Sequence, residues 1–168
     1  MTPLWMVRAE GGRLYDGFRH RGVVALGWTR LASIVFEAES RDALVRAYAA
    51  CEPLRARSAI VSGASQVWRF VHEIEPGHWA TTYSPQRRAY LLGRIASPAR
   101  HRPDWDAAGM PLVRAVQWRP VEIPRDALHA ATRARLGPTQ SLFRIAPGAA
   151  RQLVAIADRI EGGEAVIR

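Results

Sequence analysis

Trp68 is the first residue of this chain whose surroundings suggest binding chemistry. In SQVWRFVHEI (65–74), Val67, Phe70, Val71 and Ile74 recur at helical spacing and define one buried stripe. Trp68 lies about 100° round the helix from Val67, beside Ser65, Gln66 and Arg69. The spacing predicts a helix opening at Ser65. A large flat ring among polar neighbours there either covers the rim of a sheet or walls a pocket. A second constellation is basic: Arg87, Arg88, Arg100, His101 and Arg102 bracket one predicted hairpin. That pattern fits a surface tracking phosphates, and equally a solvated charged face.

Composition narrows the partner class. The 168 residues carry a formal net charge of +9, and every basic residue other than histidine is arginine, since the chain has neither Lys nor Asn. Arginine suits phosphate forks and stacking on bases, so nucleic acid is the first partner class to consider. Without Lys there is no P-loop lysine and no Schiff base, and without Asn there is no His–Asn–His nuclease motif. No HExxH, GxSxG or GxGxxG is present, and the five histidines have no metal-ligand spacing. Asp104 and Asp106 in RPDWD read as turn chemistry in a Pro-rich loop. These absences argue against catalysis, a metal site or a cofactor. One cysteine, Cys51, excludes an intrachain disulfide. No membrane-length apolar run or secretory signal is visible, so the expected location is the cytoplasm.

The elements that must position these residues are short. PLWMVRA (3–9), GVVALGW (22–28), HWATTY (78–83), AYLLGRIAS (89–97), LVRAVQW (112–118) and a short run before residue 145 read as strands. Ser40 caps a helix with Leu44, Val45 and Tyr48 inward, and PGAARQLVAIADRI (147–160) is a terminal helix. Tyr90, Leu92 and Arg94 share one face of their strand. The expected class is α+β: a small, mostly antiparallel β-barrel of five to six strands with flanking helices. Residues 1–161 are expected to form a single domain, and 162–168 a tail or the start of a linker to a further domain.

The order LWMVRA, GVVALGW, FVHEIEPGHWATTY, YLLGRI, VRAVQW, IPRDAL, LGPTQSLFRI resembles one module over roughly residues 3 to 145. It is the EVE-like branch of the PUA superfamily, found ahead of the nuclease in Mrr-like restriction proteins. The family's Gly-Trp ending the second strand is present as Gly27-Trp28. Its polar residues opening the pocket helix correspond to Ser65 and Gln66, with Trp68 and Arg69 behind. Its Arg-x-Val-x-Trp strand is intact as Arg114, Val116 and Trp118. Two positions depart: His78 stands where the family has Asp, and Pro138 replaces a small polar residue.

The resemblance implies a modified base, flipped from nucleic acid into an aromatic pocket containing Trp28, Ser65, Gln66, Trp68 and Arg69; Tyr90, beside two arginines and able to face the pocket or solvent, is a further pocket candidate. Each stack would contribute about 1–3 kcal/mol against the few kcal/mol that unstacking costs. Arg87, Arg88, Arg100 and Arg102 would take the phosphates. The expected partner is DNA carrying a modified base, chiefly a modified cytosine, with a nuclease domain or subunit elsewhere in a restriction or antiphage defence system. A sensor pocket for a free nucleotide or small ligand, and an RNA-binding module, are the alternatives.

Overall fold

The computed structural model describes residues 1–164; the last four residues of the expected tail, 165–168, lie outside the described residues. In chain order the elements are β1 (Leu4–Val7), α1 (Tyr15–Arg21), β2 (Val23–Leu26), α2 (Thr29–Ile34), α3 (Arg41–Cys51), α4 (Arg57–His72), β3 (Trp79–Ser84), β4 (Ala89–Ile95), β5 (Arg100–His101), β6 (Leu112–Trp118), β7 (Ile123–Pro124), α5 (Ala130–Arg135), β8 (Leu142–Arg144) and α6 (Pro147–Glu161). Single 3-10 turns lie at Val35–Glu37, Pro103–Trp105 and Arg125–Ala127. Among the described residues no helix is long and apolar enough to cross a membrane.

The class is α+β, built on a curled mixed sheet in the order β2-β6-β4-β3-β1-β8. The β3–β4, β4–β6 and β1–β8 pairs are antiparallel. The β1–β3 pair is parallel, with Leu4 opposite Trp79. The sheet is therefore a half-barrel whose terminal strands in that order are β2 and β8. Gly93 allows β6 to approach: a Cβ there would lie 2.6 Å from the Gln117 carbonyl oxygen.

The chain divides into two compact units. One comprises Met1–Val24, Pro76–Ala96 and Ala115–Arg168; the other comprises Ala25–Glu75 and Ser97–Arg114. In the first, Leu4, Met6, Tyr90, Leu92, Ile123 and Phe143 form a core over which α6 lays Leu153, Ile156 and Ala157. All four β1 side chains are buried, so LWMV reads as an unbroken apolar run and not as an alternating one.

The second unit is mainly helical. Ser40 Oγ accepts the Ala43 N–H at 3.0 Å and caps α3, which buries Leu44, Val45 and Tyr48. The helix expected from Ser65 begins eight residues earlier, at Arg57, and buries Ile60, Gly63, Ala64, Gln66, Val67 and Phe70. Its C-terminal end is closed by one side chain. Arg114, only 2% exposed, donates to the carbonyls of Phe70 (2.8 Å), Val71 (3.0 Å), Ile74 (2.7 Å) and Ser97 (2.9 Å). The Phe70 and Val71 carbonyls are among the acceptors that a helix end leaves orphaned. Burial lowers its pKa to about 10, so it carries its charge at neutral pH. Arg114 thereby ties the last turn of α4 to the segment that leads into β5.

Candidate functional site

A cavity of about 460 Å³ opens in the helical unit, within the range of small-ligand sites. Trp28, the residue after Gly27 at the end of β2, forms one wall. It occupies the N-cap position of α2 with φ −77° and ψ 86°, and its carbonyl accepts the Ala32 N–H at 2.9 Å. This backbone position leaves the indole half-buried and lining the cavity. The ring is seated on Gly63 of α4. A Cβ at that glycine would come within 3.1 Å of Trp28 Nε1 and 3.4 Å of Cε2.

Tyr48 of α3 also lines the cavity, although 2% exposed, and burial pushes its phenol pKa up. The Arg55 guanidinium stands 5.7 Å from the Tyr48 ring centroid, within cation–π range. The other side is built by His101 of β5 together with Pro103 and Asp106 from the following 3-10 turn. Asp106 Oδ1 is cut off from solvent and has no hydrogen-bond partner. Leaving a buried polar group unpaired costs about 1–3 kcal/mol, and more for a charged one. Arg30 and Arg55 contribute guanidinium groups to the lining, and neither has a carboxylate partner among the described residues. The lining sets a flat apolar face beside two carboxylates, Glu52 and Asp106, that can accept N–H donors, and two guanidinium cations, Arg30 and Arg55.

Of the residues singled out in the sequence, Trp28 lines this cavity. Ser65 and Gln66 do not, and they are not at a helix start. They lie more than two turns inside α4, where backbone N–H groups are spent on the helix itself. Gln66 is 7% exposed and donates to Ser62 Oγ at 3.0 Å. Arg69 pairs with Glu73 at 3.0 Å, and Glu73 also takes Arg41 at 2.9 Å. Trp68, half-buried, lies against His72 one turn on, with centroids 3.9 Å apart and the rings tilted by 36°.

Tyr90 is in the other unit, 3% exposed in its core, with its ring 4.5 Å from Tyr83. Burial there pushes its phenol pKa up. Three of the four expected phosphate ligands already hold carboxylates. Arg87 grips Glu122, which also accepts from Tyr15 Oη at 3.0 Å and Arg19 at 2.8 Å. Those donors, Arg87 foremost, hold the Glu122 pKa down at about 2. Arg88 pairs with Asp126 at 2.9 Å. Arg102 clasps Asp104 through two bonds, of 3.1 and 2.7 Å, and covers the Trp105 ring at 4.0 Å. Arg100 is exposed and forms no ion pair among the described residues.

Sequence reasoning passed over Tyr48, read as core, Asp106, read as turn chemistry, and Arg30 and Arg55. The RPDWD motif held a usable signal, because a second acidic residue beyond the turn needed a reason. Burial without a partner is that reason, and it is visible only in three dimensions.

No protein-family model matches the chain, and no curated protein matches it. Among solved structures it is similar to the YTH domain of the Zygosaccharomyces rouxii MRB1 protein, in complex with N6-methyladenosine RNA. The match covers 92% of this chain and 86% of that one, at 9% identity and a TM-score of 0.51. At that identity the relation is one of architecture: this chain and the YTH domain share a fold over nearly their whole lengths.

Proposed function

We propose that this chain is a nucleic-acid-binding module, without catalysis of its own, that receives one modified base flipped into the Trp28 cavity. The carrying observation is a cavity walled by the Trp28 indole with the Asp106 carboxylate in its lining. A base offers what both need: a π face for Trp28 and an exocyclic N–H for the carboxylate. Cytosine and adenine present such an amine at the Watson–Crick edge; uracil and thymine do not. Arg30 and Arg55 would meet the flanking phosphates. The fold shared with a domain seen with methylated RNA supports this reading, and its coverage supports treating residues 1–161 as one module.

Within that reading we assign DNA carrying a modified cytosine as the ligand, and a nuclease on another domain or subunit as the partner, in keeping with the Mrr-like resemblance. Methyladenine in RNA is the second reading, favoured by the YTH fold. The test is a binding panel of matched strands carrying unmodified, methylated, hydroxymethylated and glucosylated cytosine, and N6-methyladenine, as DNA and as RNA. Trp28→Ala is expected to abolish preference for the modified strand, at about 1–3 kcal/mol, whereas Trp68→Ala leaves it unchanged. Loss of preference in Trp68→Ala with Trp28→Ala unaffected would move the pocket to the face of α4 that carries Trp68. Equal affinity for free nucleotide and strand, with no salt dependence, would make the cavity a small-ligand sensor.

A further inference from the structure

The turn joining α3 to α4 carries the most exposed large apolar side chain among the described residues. The Glu52 carbonyl accepts the Arg55 N–H at 3.1 Å, closing a four-residue turn with Pro53 second and Leu54 third. Proline at that position fixes φ and stiffens the tip. Leu54 is 100% exposed, against 46% for Phe36 and 38% for Val61. An exposed leucine alone is unremarkable in a folded protein. What distinguishes this one is its setting, because Glu52 and Arg55, the two ends of its turn, both line the Trp28 cavity. Arg55 and Arg57 follow it, and neither has a carboxylate partner among the described residues. A rigid apolar tip flanked by cations therefore projects at the lip of the candidate base site.

A base that leaves a duplex for a pocket leaves a gap in its stack, and proteins that open base steps commonly fill such gaps with apolar wedges. We infer that Leu54 is a wedge, entering the stack of a double strand at the step the flipped base vacates, while Arg55 and Arg57 hold the adjoining phosphates. This rests on the base-reading assignment above and adds to it the strandedness of the ligand. A wedge has work to do only where a stack and a pairing partner must be opened, so Leu54 matters for duplexes and not for single strands.

The experiment compares wild type, Leu54→Ala and Leu54→Met on the same modified oligonucleotides, single-stranded and as duplexes with 2-aminopurine beside the modified base. Four probes are used, carrying 5-methylcytosine, 5-hydroxymethylcytosine, N4-methylcytosine or N6-methyladenine. On any probe the wild type prefers to its unmodified control, Leu54→Ala should weaken duplex binding about tenfold or more, the scale set by most of a leucine's burial free energy. It should also blunt the 2-aminopurine fluorescence change. Single-strand binding should stay within about twofold, Leu54→Met should restore duplex binding, and Tm should not move. Equal weakening on both forms, or no weakening on either, overturns the wedge while leaving the pocket standing. A wild type that prefers no modified probe in either form removes the pocket reading, and the wedge with it.

Discussion

Gly63 offers a way to move the pocket wall without altering a residue that lines the cavity. Its missing Cβ is what lets the Trp28 indole lie on α4, with Leu31 Cδ1 a further neighbour at 3.6 Å. In Gly63→Ala the new methyl meets Nε1 at 3.1 Å, so the ring must retreat by a few tenths of an ångström. Alanine also gains up to about 1 kcal/mol in helix propensity, so net stability should change by less than that. Gly63→Val adds two more methyl groups at the same place, and overpacking of this kind costs about 1–3 kcal/mol of stability. The indole is then displaced from its stacking plane, forfeiting about 1–3 kcal/mol of base stacking, or roughly 5- to 100-fold in Kd. Anisotropy titrations of modified and unmodified strands, with thermal melts in parallel, read both quantities. The expected order of discrimination is wild type, then Gly63→Ala, then Gly63→Val. A folded Gly63→Val protein that discriminates as well as wild type would refute Trp28 as the wall.

Three further outcomes follow from the same geometry. Arg114→Met should cost about 3–5 kcal/mol in urea unfolding, because carbonyls buried around the guanidinium lose their donors; Arg114→Lys should recover only part, since one ammonium cannot span them, and a loss under about 1 kcal/mol would contradict this. The Glu122 pKa is depressed from 4.5 to about 2, so its contribution is complete above pH 4.5 and is lost as pH falls through 2. Wild type should therefore converge on Glu122→Gln in urea midpoint across that window, and parallel curves would show that the carboxylate is not coupled to folding. Arg30→Ala and Arg55→Ala should each make the salt slope of binding shallower by about one unit, whereas Arg88→Ala, whose charge is already met by Asp126, should change it less; the reverse order would return the phosphate contacts to the β3–β4 hairpin.

Where one local signal sufficed, the sequence was legible. Ser40 announced α3, and the apolar runs AYLLGRI and LVRAVQW announced β4 and β6. Three helices escaped notice because their stripes are too short to show a period: α1 buries only Tyr15 and Phe18, α2 only Leu31 and Ala32, and α5 only Thr132. The start of α4 was hidden by its small residues. Ala56 caps nothing with its side chain, and Gly63, a weak helix former, is the seat of an indole. Trp28 was nominated as a wall through the resemblance; its own position, ending a strand before polar residues, left wall and core equally open. Asp106 could not be nominated, since an orphaned oxygen is a property of packing. The arginines of the β3–β4 hairpin misled for the same reason: Glu122 lies 35 positions from Arg87, and Asp126 lies 38 from Arg88. The parallel β1–β3 pair joins strands too far apart for any local pattern to announce.

That last pair governs how the protein is made. β1 leaves the ribosome as four apolar residues ahead of both its partners, β3 and β8. At about 5–20 residues per second, roughly 70 residues of synthesis keep β1 waiting about 4–14 seconds for β3. The second partner, β8, begins about 135 residues after β1 ends. The helical unit meanwhile has its last residue, Arg114, before β8 is made. The cavity can thus be built on a nascent chain whose sheet still shows an open edge, and unpaired apolar edges are where chains aggregate. Slowed translation between residues 84 and 142 would lengthen the time that LWMV spends with its β8 edge unpaired.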